Sequence, residues 1–122
     1  MLEKQITKEV CKFIKLRYPN VIFTVDTSGI RLTIGQATQM KSLRSGRGIP
    51  DLLIFEPRGN HKGLFIEIKK DSPYKKNGEL KKDKHLEEQS EMLCRLNRKG
   101  YVAFFCAGVD ECLIAIKDYM EL

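Results

Sequence analysis

Residues 48–69, GIPDLLIFEPRGNHKGLFIEIK, contain the pattern that decides the fold of this chain. Two apolar runs flank the turn-forming sequence PRGN at 57–60, which is typical of two strands joined as a hairpin. Each run also contains charged residues: Asp51 in the first run, and Glu67 and Lys69 in the second. Charged groups inside apolar strands are costly unless a partner compensates them, so the hairpin is the first candidate for a functional site.

The turn predicts how the two acidic residues face each other. Side chains alternate along a strand, so Glu67 and Lys69 share a face, and a turn centred near Gly59 places Asp51 opposite Glu67. Carboxylates about 5 Å apart repel each other unless they take up a proton or share a cation. A hard divalent cation such as Mg²⁺ suits these oxygens, and the backbone carbonyl of Ile68 could add a ligand.

Lys69 would place an ammonium group beside an attacking water or a charged phosphate. The hairpin therefore predicts hydrolysis of a phosphodiester. The alternative is that Asp51 caps a turn after Pro50, while Glu67 and Lys69 form a solvated ion pair worth less than about 1 kcal/mol. An isolated E-x-K pattern is common by accident, and only the surrounding apolar strands favour a site.

The remaining periodicities predict an α/β fold in one domain spanning residues 1–122, with a mixed sheet flanked by helices on both sides. A length of 122 residues suits one core better than two. The expected elements are helix 2–18, strand 21–25, turn 26–35, short helix 36–43, strands 50–55 and 63–69, exposed loop 70–84, helix 85–99, strand 101–106 and helix 109–120.

Composition restricts the class of protein and its surroundings. A net charge of +6 and a pI near 9.2 would attract a polyanion, although many basic proteins bind no nucleic acid. No apolar run resembles a signal peptide or a membrane span, so we expect an intracellular protein. We expect reduced thiols at the four cysteines, Cys11, Cys94, Cys106 and Cys112.

Two polar residues on the predicted helices point inward. Glu3 falls within the arc of apolar residues on the first helix; it could bind the metal directly or through water, or only complement the helix dipole. Gln89 lies on the leucine stripe of the helix 85–99, where its amide needs a polar partner. That partner is a water at the metal site or Lys69 in one interpretation, and the backbone in the other.

Basic residues cluster in the two loops that adjoin the predicted site, and these loops could hold phosphates. We read His61 and His85 as surface residues; the alternative for His85 is contact with a phosphate. The candidate DNA-binding residues are Lys41, Arg44 and Arg47 before the first strand of the hairpin, and Lys70, Lys75 and Lys76 after the second.

The sequence GIPDLLI at 48–54, followed by FIEIK at 65–69, resembles the PD-(D/E)xK nuclease superfamily, and within it the VRR-NUC family of virus-type replication and repair nucleases. The resemblance covers nearly the whole chain, from Glu3 to the helix carrying Gln89. It implies a restriction-endonuclease-like core, dependence on Mg²⁺ or Mn²⁺, and cleavage of the DNA backbone. For stand-alone viral or bacterial members it also implies homodimers that act on branched DNA such as Holliday junctions. With such members we expect the cytoplasm of a bacterial or virus-infected host cell as the location.

The leading hypothesis is thus an endonuclease whose catalytic residues are Asp51, Glu67 and Lys69, supported by Gln89 and Glu3. A non-catalytic DNA-binding module with the same fold is one alternative, but it would have no need to keep all three central residues. A sequence-specific restriction endonuclease is another, but so short a chain leaves little room for an element that reads bases.

Overall fold

The computed structural model describes residues 1–26 and 31–122, and within them the helices and strands follow one another in the predicted order. Residues 27–30 of the predicted turn 26–35 lie outside the described residues. The elements are α1 (Glu3–Arg17), β1 (Phe23–Val25), α2 (Ile34–Ser42), β2 (Leu52–Ile54), β3 (Leu64–Lys69), α3 (Lys84–Arg98), β4 (Val102–Ala107) and α4 (Gly108–Met120).

The four described strands form one mixed sheet in the order β1-β2-β3-β4. β1 pairs with β2 and β2 with β3 in antiparallel fashion, whereas β3 and β4 are parallel. Leu52 pairs with Ile66 and Leu53 with Phe65, which is the register expected for a turn centred near Gly59. Gly59 has a φ of +55°, a left-handed conformation that glycine adopts without a steric penalty.

Helices cover both faces of the sheet, which confirms the predicted α/β class. On one face, α1 and α4 pack against the even-numbered residues of β3, with Ile6, Val10 and Ile14 of α1 fully buried. On the other face, Leu93 of α3 packs against the odd-numbered side, including Phe65. Full burial of each large aliphatic side chain stabilises the fold by about 1.5–3 kcal/mol.

The helix ends follow from local capping. The carboxylate of Asp83 accepts hydrogen bonds from the backbone N–H groups of His85 and Leu86, which fixes the start of α3. Thr33 caps α2 by accepting from Gln36 N at 3.1 Å, so this helix begins two residues earlier than predicted. No residue of α2 is buried.

Segment 70–84 is exposed as predicted, but it is not irregular throughout. Tyr74 and Leu80 form an isolated antiparallel bridge, and Lys75 N donates to Glu79 O at 2.7 Å, so residues 74–80 make a small hairpin. Among the helices of residues 1–26 and 31–122, none is long and apolar enough to cross a membrane.

Candidate active site

The end of the β2–β3 ladder brings Asp51 and Glu67 together. The last ladder pair is Leu52 with Ile66, and one step further Asp51 stands opposite Glu67. Val102 N of β4 donates to Gly63 O at 2.9 Å, so the backbone groups of this odd-numbered residue point towards β4. Because this direction alternates along a strand, the N–H groups of odd-numbered β3 residues point towards β4 and those of even-numbered residues towards β2. Position 67 is therefore a non-hydrogen-bonded position relative to β2, where opposed side chains approach most closely.

Asp51 is held in place through both its side chain and its backbone. One carboxylate oxygen, Oδ2, accepts from Ile68 N at 2.9 Å, and the carbonyl of Asp51 accepts from Asp26 N at 2.7 Å. Pro50, fully buried, precedes it and has no N–H with which to continue the ladder to β3. The Asp51 side chain thus takes over a hydrogen bond that a longer strand would have made.

Glu67 is the buried acid of this pair, with 4% of its surface exposed. Burial is the main cause that raises its pKa to about 10, followed by a hydrogen bond with the Asp51 side chain and by the negative charge of Asp51. The positive charge of Lys69 acts in the opposite direction. At neutral pH Glu67 therefore carries a proton, unless a cation takes the place of that proton.

All five predicted catalytic residues line one cavity of about 620 Å³. Their roles in catalysis stay predictions, but the fold gathers them from four separate elements. The five residues are Glu3 at the start of α1, Asp51 before β2, Glu67 and Lys69 in β3, and Gln89 in α3.

Gln89 points into this cavity with an incompletely paired amide. Its side chain is 6% exposed, and Nε2 lies 3.2 Å from Nε2 of His85, one helical turn earlier. Its Oε1 is buried and has no hydrogen-bond partner among residues 1–26 and 31–122. The alternative of a core glutamine satisfied by the backbone is therefore wrong, and one end of the amide is left for a group that enters the cavity.

Glu3 lies at the rim of the cavity and is more exposed than its place on the apolar arc suggested. Its Oε2 accepts from Lys70 N at 3.4 Å, which ties the start of α1 to the end of β3. Its negative charge is also a minor cause of the raised pKa of Glu67. Glu3 is thus electrically coupled to the acidic pair.

The first basic cluster lines the cavity, whereas the second does not. Lys41, Arg44 and Arg47 line it, with Arg44 Nη2 3.2 Å from Asp26 Oδ1 and Arg47 Nη1 3.8 Å from Glu88 Oε1. Lys70 follows β3 directly and contacts Glu3 through its backbone. The other two predicted DNA-binding lysines, Lys75 and Lys76, are exposed on the 74–80 hairpin and do not line the cavity.

Three lining residues with ionisable side chains were not assigned to the site from the sequence. Asp26 follows β1, and only the pairing of β1 with β2 carries it next to Asp51. His85 was read as a surface residue; it is exposed but also lines the cavity, and its spacing of four residues from Gln89 on a helix was the available signal. Glu88 also lines the cavity, where it forms an ion pair with Arg47.

The donor atoms in the cavity fit a hard divalent cation. The described part of the chain contains no group of three His, Cys, Asp or Glu side chains able to hold a metal. Mg²⁺, however, is typically bound by one or two carboxylates, with water and substrate phosphate completing its shell. Asp51 and Glu67 supply two such carboxylates, and the Ile68 carbonyl lies on the same side of β3 as its N–H, which faces Asp51.

Comparisons with known proteins agree with this picture. Residues 10–110 match the sequence profile of the VRR-NUC domain. The structure is similar to a solved structure titled "VRR_NUC domain protein", with a TM-score of 0.71 and 25% sequence identity over 100% of this chain and 90% of that chain. A search among curated proteins finds no match.

Proposed function

The chain belongs to the VRR-NUC family, and we propose that it is a Mg²⁺- or Mn²⁺-dependent endonuclease that cuts branched DNA. The family is one of nucleases, which typically use divalent metals and have DNA as their substrate. The particular metal, the endonucleolytic mode and the branched substrate are our proposals. Holliday junctions are the substrate that we favour, cut by a homodimer.

One observation carries the proposal: two hydrogen-bonded carboxyl groups and an ammonium group lie in a cavity that also has basic residues on its lining. Asp51 and Glu67 meet at the end of a ladder, and Lys69 shares the face of Glu67. An acidic pair without a function would cost stability in a buried position. A bound cation beside the pair would offset this cost, because its positive charge would neutralise the carboxylates.

The residues divide the chemistry among them. A bound Mg²⁺ or Mn²⁺ would polarise the phosphate and lower the pKa of a water molecule. Asp51, Glu67 and the Ile68 carbonyl would hold the ion, with Glu3 acting directly or through water. Lys69 orients the attacking water and stabilises the negative charge that develops on the phosphate. The unpaired end of the Gln89 amide binds a group in the cavity, such as that water.

Lys41, Arg44 and Arg47 would bind DNA phosphates along one wall of the cavity. Arg44 and Arg47 would exchange their carboxylate partners for phosphates as DNA enters. Lys70, Lys75 and Lys76 would contact DNA further out. In a symmetric homodimer, two such sites would be related by a two-fold axis, which suits paired cuts across a junction.

Cleavage assays with matched substrates test the proposal. Labelled junction, flap, duplex and single-stranded DNA are incubated with Mg²⁺, Mn²⁺ or EDTA, using the wild type, Asp51→Ala and Asp118→Ala, an exposed aspartate of α4. We expect the wild type and Asp118→Ala to cut the junction with either metal and not in EDTA. Asp51→Ala should bind the junction and lose cleavage by at least about a thousandfold.

Retained cutting by Asp51→Ala would remove this residue from the site. Equal cutting of junction and plain duplex would contradict selectivity for branched DNA. Cleavage in EDTA would contradict the role of a metal. A non-catalytic module is supported if none of the four substrates is cut although the junction is bound.

A further inference from the structure

A second cavity, of about 420 Å³, adjoins the first at Asp51. Asp51 and Asp26 line both cavities, so the two meet at the end of the β1–β2 pair. The second cavity, which we call the α1 cavity, is bounded mainly by helix α1. Its other lining residues are Lys4, Thr7, Lys8, Cys11 and Val25.

Basic side chains line each of the two cavities that meet at Asp51. Lys41, Arg44 and Arg47 line the first cavity, and Lys4 and Lys8 line the α1 cavity. A strand that crosses from one cavity to the other would therefore meet cations before and after Asp51. This order of charges suits a polyanion whose central phosphate reacts and whose flanking phosphates are bound.

We propose that the α1 cavity binds the DNA strand on one side of the scissile phosphodiester, with Lys4 and Lys8 pairing with its phosphates. This inference rests on the proposed nuclease function and assigns two further substrate-binding residues. Lys4 and Lys8 are four residues apart on one helix face, about 6 Å along the helix axis, so both can contact one strand.

The two lysines are available for this role, in contrast to others nearby. Both are exposed, and neither forms an ion pair with a residue of the described ranges. Lys12, on the same helix, lines neither cavity, and its Nζ lies 4.0 Å from Glu9 Oε1. Lys12 is thus a control for the loss of one exposed lysine from the same helix.

The first test measures the salt dependence of junction binding. All proteins carry Asp51→Ala to prevent cleavage, and they differ by Lys4→Ala with Lys8→Ala, or by Lys12→Ala. Each phosphate contact contributes about 0.7 to 0.9 to the slope of log K against log salt, so loss of two contacts should lower its magnitude by about 1.4 to 1.8. Lys12→Ala should leave the slope unchanged. Equal slopes for the two variants would overturn the inference.

A second test uses Cys11 as a reporter in the α1 cavity. Cys94 is exposed on α3 and lines neither cavity, whereas Cys106 and Cys112 are buried. Burial raises the pKa of Cys11, so alkylation by iodoacetamide is followed at mildly alkaline pH by mass spectrometry of the peptides. Saturating junction DNA should slow modification of Cys11 several-fold and leave Cys94 unaffected.

Unchanged alkylation of Cys11 at saturating DNA would overturn the inference. Failure of this inference can be told from failure of the proposed function. If the wild type cuts DNA while the slopes and the Cys11 rate do not respond, only the assignment of the α1 cavity is wrong. If the wild type neither binds nor cuts any of the four DNA substrates, the nuclease proposal itself fails, and the inference fails with it.

Discussion

Glu67 lies within a strand and is almost fully buried, with the carboxyl group of Asp51 as its hydrogen-bond partner. Its pKa in the folded protein, about 10, lies well above the ordinary value of 4.5 that it has when the chain is unfolded. The folded state therefore holds a proton that the unfolded state releases at neutral pH. The stabilisation linked to this proton is complete below pH 4.5 and is lost as pH rises towards 10.

We predict that Glu67→Gln stabilises the metal-free protein increasingly as pH rises. Glutamine is neutral at every pH and so avoids the cost of either charging or protonating a buried carboxyl group. Thermal unfolding in EDTA should show a gap in Tm between the variant and the wild type that widens from pH 5 to pH 8. Glu91→Gln, at an exposed position of α3, is the control. A constant gap would show that Glu67 does not titrate in this way.

The same variant should respond differently to metal. At a Mg²⁺ concentration one hundred times its Kd, binding would stabilise the wild type by about 2.7 kcal/mol, whereas Glu67→Gln loses a charged ligand and should gain much less. An equal shift of Tm in both proteins would argue against Glu67 as a ligand.

Single residues also show how far the sequence predicts the site. The opposition of Asp51 and Glu67 follows from strand alternation and one turn, which are local properties. Asp26 was not predicted, because nothing in its own segment indicates that β1 would bring it to Asp51. The carboxylate partners of Arg44 and Arg47 were likewise hidden, since they come from elements far along the chain.

At the scale of elements, the connection between α2 and β2 is fixed against α3. Gly48 has a φ of +81°, and a Cβ atom there would lie 3.1 Å from both Gln89 Cα and the Glu88 carbonyl. The contacts are with backbone, which cannot move aside as a flexible side chain can. Gly48 therefore allows the basic connection to approach the helix that carries Gln89.

We predict that Gly48→Ala destabilises the protein by about 1–3 kcal/mol, because it combines a left-handed backbone with this close approach. It should also reduce cleavage, since Arg47 and Gln89 would shift. Gly35→Ala is the control: a Cβ at this α2 position meets no atom within 4 Å, and alanine favours a helix by up to about 1 kcal/mol over glycine. Chemical denaturation measures the free energy of unfolding of both variants. Equal stability of the two variants would contradict the prediction.

Element boundaries were predicted well where periodicity is strong and less well elsewhere. α1 and α3 were predicted to within one residue at each end, because their apolar stripes and end signals agree. β2 is shorter than predicted, because its pairing with β3 covers only Leu52–Ile54. Lys75 and Lys76 were placed beside the site because they follow Lys69 closely, but the 74–80 hairpin carries them away from the cavity.

For the whole molecule, a net charge of +6 coexists with an acidic centre at Asp51 and Glu67. In the proposed mechanism, long-range attraction would bring a polyanion to the surface, and a cation would then lie between the local carboxylates and the phosphate. The fold class and the family were both predicted from the sequence and confirmed. The α1 cavity was not predicted, because it depends on how α1 lies against the end of β1.

We predict that two copies assemble on a junction. Sedimentation of the Asp51→Ala variant with a four-way junction should give a complex containing two protein chains, because symmetric cuts need two sites. A linear duplex of equal length is the control. A single chain per junction at saturating protein concentration would exclude the homodimer and with it the paired-cut scheme.

Pro50 shapes the end of the β2–β3 ladder because proline has no backbone N–H hydrogen. Any other amino acid at this position would present a backbone hydrogen towards β3, where the lone pairs of the Ile68 oxygen could accept it and extend the pairing by one rung. Proline has no such hydrogen, so this backbone hydrogen bond cannot form. The Ile68 oxygen would then be able to bind the proposed metal ion. The metal site that we propose at this end of the sheet would thus depend on the absence of a backbone hydrogen bond that Pro50 cannot make.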